Sequence, residues 1–260
     1  MRVTLRALLV GWRAEIAAAA EYRADLIVGT IISTVWLGLA VVPAVVVFQY
    51  VDAAAGWTLE RLLFLQAVWY LMDGVMWIVI QPNLWALSEQ VRTGDLDFYL
   101  LQPGSALARM SLTMLNPADL PKILLAAALG TAAIVRGIDL TPGAAALGFV
   151  GILAAMVLMW AIGVLTHVKA ITAVRFEAGF AMHAAHNLAR IPVTFYGRAL
   201  SAVLTFVVPI AFLSTVPAEL VFGARDWRGA LAAIGVAAAA VLLTNLAWRR
   251  EIGRYSGATA

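Results

Sequence analysis

The sequence predicts an all-α, polytopic membrane protein with six transmembrane helices, and two observations carry that prediction. Of its 260 residues, 63% are hydrophobic and only 13% are charged, against roughly 25% charged in soluble domains. Several windows of about 20 apolar residues reach the length a helix needs to cross the hydrocarbon layer, and the mean hydropathy is +0.91. The chain has no cysteine, which excludes a disulfide framework, a thiolate nucleophile and a cysteine zinc site. The net charge of +3 is read through where Lys and Arg fall along the spans, not as a nucleic-acid footprint.

In chain order, residues 1–25 place Leu5, Leu8, Leu9, Trp12 and Ile16 on one helical face and Arg2, Arg6 and Arg13 on the other. That pattern predicts an amphipathic helix lying in the headgroup layer. Glu15, Glu21 and Asp25 interrupt any short apolar core, so it does not read as a signal peptide. Residues 26–80 hold spans one and two, the first with Pro43 as a kink and the second over Thr58–Ile80. A polar segment, 81–119, follows. Spans three and four run from about Leu120 to Val135 and from Pro142 to near Thr166, and the last span lies within 228–248. A tail, 249–260, carries Arg249, Arg250 and Arg254.

The fifth span is ambiguous. Residues 167–193 are polar for a span, and residues 200–221 are apolar but broken by Pro209 and Pro217. Either half can serve, and both choices keep six spans with the two termini on one side. The positive-inside rule puts that side in the cytoplasm, and charge alone mildly favours keeping Arg190 and Arg198 there too.

No enzyme motif is present. Neither lysine, Lys122 nor Lys169, sits in a phosphate-binding G-x-x-x-x-G-K-[ST] loop, and the H-E-x-x-H and G-x-S-x-G patterns are missing. Asp73, in the middle of span two, costs on the order of 2.5–3.5 kcal/mol if it faces lipid, so it must face protein or water. It reads equally as a pathway residue or as a structural hydrogen-bonding partner. Glu177, His183, His186 and Asn187 form a polar group in the region of span five. His183 and His186 share one helical face, but polar residues lining a wet interface are commoner than a metal seat there, so no metal is expected.

The segment 81–119 has a local logic. Gly94 follows a helix end at Val91–Thr93, Asp95 is placed to cap a new helix through Leu96, Asp97, Phe98, Tyr99, Leu100 and Leu101, and Pro103–Gly104 stops it. With Leu96, Phe98, Tyr99 and Leu100 exposed, such a helix must dock on something, either a partner or the membrane surface.

The string VRTGDLDFYLLQPGSAL resembles the R-x-G-x-L-D-x-x-L-L-x-P signature that follows the second span in membrane subunits of the type-two ABC exporter family. The match runs through Arg92, Gly94, Leu96, Asp97, Leu100, Leu101 and Pro103. Residues Leu188–Gly223 and Trp248–Ala260 agree in order, so the resemblance covers most of the chain. Gln102 and Gly197 depart from it, standing where arginine and proline are usual.

The resemblance implies a single permease domain over 1–260, in the inner (plasma) membrane, working with a second and related permease subunit and two cytoplasmic ATP-binding cassette ATPases. ATP and Mg would be bound by those partners, and this chain would carry no cofactor or catalytic residue of its own. Gly94 to Leu100 and Pro103 would form the coupling helix that seats in the ATPase. Residues 196–223 would be a re-entrant extracellular hairpin, which makes about Ala173–Val193 the fifth span. The cargo implied is a drug, lipid or glycoconjugate. An ion-coupled secondary transporter and a non-transporting scaffold are the rival readings.

Overall fold

The structure, a computed structural model, describes residues 9–17, 23–102, 104–168 and 179–255. Every regular element among them is helical, and no strand occurs. Residues 9–17 form α1, and α2 runs over Arg23–Val47 with Pro43 inside it. Next comes α3, Leu59–Val75, which passes through a π-helical turn, Met76–Ile80, directly into α4, Gln81–Thr93. Two short helices follow, α5 at Leu96–Leu101 and α6 at Ala106–Leu112. The long helices α7, Leu120–Gly137, and α8, Pro142–His167, precede α9, Gly179–Leu188. Then come α10, Arg198–Ala202, α11, Thr215–Val221, and α12, Trp227–Ile252.

Among the described residues, five helices are long and apolar enough to cross a membrane: Ala24–Val47, Leu59–Leu87, Pro117–Gly137, Pro142–His167 and Trp227–Ile252. Their starts are chemically marked. Thr58, Thr141 and Asp226 precede α3, α8 and α12, and each side chain accepts a backbone N–H of the first turn. The predicted fifth span is described only as α9, since residues 169–178 lie outside the described part. The second span differs from its predicted limit. It does not end at Ile80, because the helix continues unbroken to Thr93.

The backbone compensates for the proline within that continuation. Pro82 has no N–H to return to the preceding turn, and the Ile78 carbonyl instead accepts the Asn116 N–H at 2.8 Å. Asn83, 1% exposed, fixes the same loop. Its Nδ2 donates to the carbonyls of Val79 (2.5 Å) and Met114 (2.8 Å), and its Oδ1 accepts the Met114 N–H at 2.8 Å. The loop before α7 is therefore stitched to the wide turn in α3–α4.

The span containing α3 is the centre of the molecule, with 72% of its apolar window buried. It packs along α7, while α8 packs along α12 and α11. Small residues set the close approaches, as expected where lipid supplies no hydrophobic drive between helices. A Cβ on Gly151 would lie 2.7 Å from Leu220 Cδ1 and 3.3 Å from Pro217 Cα, so α11 seats directly on the backbone of α8.

Two ends of the bundle can be told apart. At one, Trp57 Nε1 donates to Thr194 Oγ1 at 3.0 Å and its ring meets Phe222 edge-on at 5.3 Å. Residues 194 and 222 thus both lie beside the α2–α3 connection. Between them, the apolar helix over Arg198–Val207 is only about 15 Å long. Ser214 Oγ then donates to the Ala189 carbonyl at 2.5 Å, and Thr215 Oγ1 accepts the Val193 N–H at 3.2 Å, which brings the start of α11 back to the end of α9. At the other end lie α1, α4, α5 and α6. There Trp12 Nε1 donates to the Leu112 carbonyl at 2.8 Å, and Trp160 Nε1 to Ser111 Oγ at 3.0 Å.

Candidate functional site

Two places concentrate chemistry. The first is a cavity of about 560 Å³ between α2, α3, α7 and α9. Asp73, deep in the second span, is not alone there. Lys122, on the first turns of α7, places Nζ 2.9 Å from Asp73 Oδ2 and 3.0 Å from Asp119 Oδ1. His186, from α9, holds Nε2 3.1 Å from Asp73 Oδ1. Asn116 Nδ2 completes the group by donating to Asp119 Oδ2 at 2.8 Å.

These groups are nearly dry. The Lys122 side chain is 10% exposed and that of Asp73 is 14% exposed, while His186 is 2% exposed. Charges removed from water are tolerable only when paired and hydrogen-bonded, and one ammonium between two carboxylates meets that demand. Glycine makes the approach possible. A Cβ on Gly74 would lie 2.7 Å from Ile123 Cδ1 and 3.3 Å from Lys122 Cβ, so its absence lets α7 come close enough for Lys122 to reach Asp73.

Aromatic rings line the same group. Trp69 stacks on His186 with centroids 4.9 Å apart, and its Nε1 donates to the His186 carbonyl at 2.9 Å. Trp77 stacks on His183 at 5.3 Å and lies 5.2 Å from the Lys122 ammonium, within cation–π range. The Tyr70 hydroxyl donates to the Ser33 carbonyl and so ties α3 to α2. Asp73, His183, His186 and Asn187 therefore line one cavity, while Glu177 lies outside the described residues. Sequence reasoning missed Lys122, Asp119, Trp69 and Trp77. A lysine five residues past Pro117, inside a predicted span, was the signal available for the first of these.

The second place is the segment around α5. Gly94 closes α4 with φ of 84°, the left-handed conformation that glycine adopts without a Cβ penalty. Asp95 does not cap α5 as predicted. Its carboxylate makes no bond to the first turn and instead accepts the Thr93 hydroxyl at 2.7 Å. Leu96 also departs from expectation: it is fully buried in the core, and Tyr99 and Leu100 are half-buried against that core. A six-residue helix has one inner face, and these three residues take it. Phe98 and Leu101, 66% and 85% exposed, form the outer face, and Asp97 is half-buried. Pro103 lies outside the described residues.

The inner side of α5 is braced from two directions. Arg109, on α6 and 5% exposed, donates from Nη2 to the carbonyls of Tyr99 and Gln102, both at 2.9 Å. At the end of α12, Ile252 and, just past it, Tyr255 join the core that holds Tyr99 and Leu100. Burial pushes the Tyr255 phenol above its usual range, and the nearby Asp97 carboxylate adds to the shift.

Compared with known proteins, residues 34–259 match the model of a family described as "ABC-2 family transporter protein". No curated protein matches the chain, and no solved structure does.

Proposed function

We propose, since the chain belongs to the ABC-2 transporter family and is a permease of that type, that it forms half of the pathway of an ATP-driven exporter. Two cytoplasmic ATP-binding cassette ATPases, which bind ATP and Mg, supply the energy, and a related second permease supplies the other half. Six spans cross the inner membrane with both termini in the cytoplasm, α9 being the outer part of the fifth. Residues 196–223 then form a re-entrant hairpin on the outer side. The return of both hairpin ends to Trp57, at the α2–α3 connection, supports that arrangement. The cargo is a drug-like, lipid or glycoconjugate molecule, and the cavity around Asp73 is part of its route.

The single observation that carries this reading is the form of α5. It is a short helix at the α1 end of the bundle, fastened along its inner side and presenting Phe98 and Leu101 outward. Exposed aromatic and aliphatic side chains on a rigid short helix suit a protein groove. The test is Phe98→Asp in the purified complex. Insertion and thermal stability stay at wild-type values, because Phe98 is exposed, while ATPase co-purification falls by roughly tenfold or more. Wild-type ATPase stoichiometry and transport in this variant would sink the reading.

An ion-coupled secondary transporter is the second reading, and the Asp73–Lys122–His186 group favours it, since intramembrane ionisable residues mark ion routes. Uptake or efflux in vesicles driven by a proton gradient, with no ATPase chain present, would decide for it.

A further inference from the structure

We propose that Arg109 is the positioning residue for α5: it holds the helix in the orientation from which Phe98 and Leu101 meet the ATPase. The inference rests on the reading of α5 as the ATPase contact and adds the residue that makes the contact possible.

The case begins with how little local hydrogen bonding stabilises the ends of α5. It has six residues, well below the dozen or so that an isolated helix needs in water. Its first turn has no side-chain cap, because the Asp95 carboxylate is engaged by Thr93. Its last turn leaves carbonyls without intrahelical donors, and Gln102 turns the chain away in an extended conformation with ψ of 145°. Arg109 supplies the missing donor. One guanidinium nitrogen bridges the carbonyls of Tyr99 and Gln102, and its positive charge sits at the negative end of the helix.

The anchor is itself rigid. Ser105 caps the start of α6 by accepting the Ala108 N–H at 3.2 Å. Past Arg109, the Thr113 hydroxyl donates to the Arg109 carbonyl, and Met114 is clamped by Asn83 of α4. Arg109 thus links α5 to a segment bonded to the second span. A lysine there keeps the charge but loses the planar fork of donors. Methionine keeps only bulk.

The experiment uses the full complex of both permeases and ATPases, comparing Arg109→Met, Arg109→Lys and Phe98→Asp. Two quantities are read: amide exchange across Leu96–Leu101 and retained ATPase per permease. Arg109→Met is expected to speed exchange in α5 by roughly tenfold and to lower ATPase retention by a comparable factor, with exchange in α3, α7 and α8 unchanged. Arg109→Lys falls between it and the wild type on both readouts. Phe98→Asp loses the ATPase without loosening α5.

The inference fails if loosening of α5 and loss of the ATPase part company in either Arg109 variant. It fails also if both variants lose protection throughout the bundle, since Arg109 would then support the whole fold. If Phe98→Asp keeps its ATPase, the reading of α5 as a docking helix fails instead, which separates the two outcomes.

Discussion

The cavity around Asp73 and the segment around α5 solve opposite problems. In the cavity, charge is brought into a dry place and must be neutralised by residues far away in sequence: Asp73 meets Lys122 and His186, from two other helices. Around α5, apolar side chains are held out in the open, and the bracing comes from residues nearby: Tyr99 and Gln102 meet Arg109. The first arrangement couples helices to one another. The second fixes one small surface relative to the bundle. On the proposed reading, the first serves the route and the second the drive.

The sharpest way to break the comparison is at Asp73. Asp73→Ala leaves the Lys122 ammonium with Asp119 as its remaining carboxylate, and should cost about 3 kcal/mol, the low end for breaking a buried pair. Thermal unfolding in detergent measures that cost, and transport should fall with it. Asp73→Asn keeps a hydrogen-bonding side chain and is expected to cost less. If the alanine variant unfolds and transports like the wild type, the cavity charges neither hold the fold nor serve the route.

Next in size is Asn83→Ala, which tests the stitch between the two regions. It removes three hydrogen bonds and leaves the Met114 backbone groups without their partner, a loss of about 2 kcal/mol. Faster amide exchange at residues 112–116, with α12 unaffected, is the expected pattern. Smallest is Trp12→Phe, which removes one bond to the Leu112 carbonyl and should cost less than about 1 kcal/mol. A larger fall in melting temperature would mean that α1 braces α6 and does more than lie against it.

What could be read from the sequence follows the same division. Spans one to four and six were legible because about 20 apolar residues in a row have few alternatives, and Gly94 was legible because a helix end calls for a left-handed residue. Asp95 was misread since the nearer Thr93 hydroxyl competes for its carboxylate. Leu96 was misread because six residues are too few to show which face of a helix turns inward. Lys122 went unrecognised as the partner of Asp73, because a pairing between residues 49 positions apart leaves no local periodicity. The extension of span two beyond Ile80 was hidden by the polar run Gln81–Thr93, whose Gln81 and Asn83 turned out to be buried.

The Asn116–Ile78 bond bears on how the chain is assembled. A carbonyl without a partner in hydrocarbon is expensive, and Pro82 cannot supply one. The second span therefore enters the membrane with its hydrogen bonding incomplete. It is finished only when a residue made 38 positions later arrives. During synthesis that residue emerges just ahead of the third span, so the wide turn of the second span closes only once the whole intervening segment has been made.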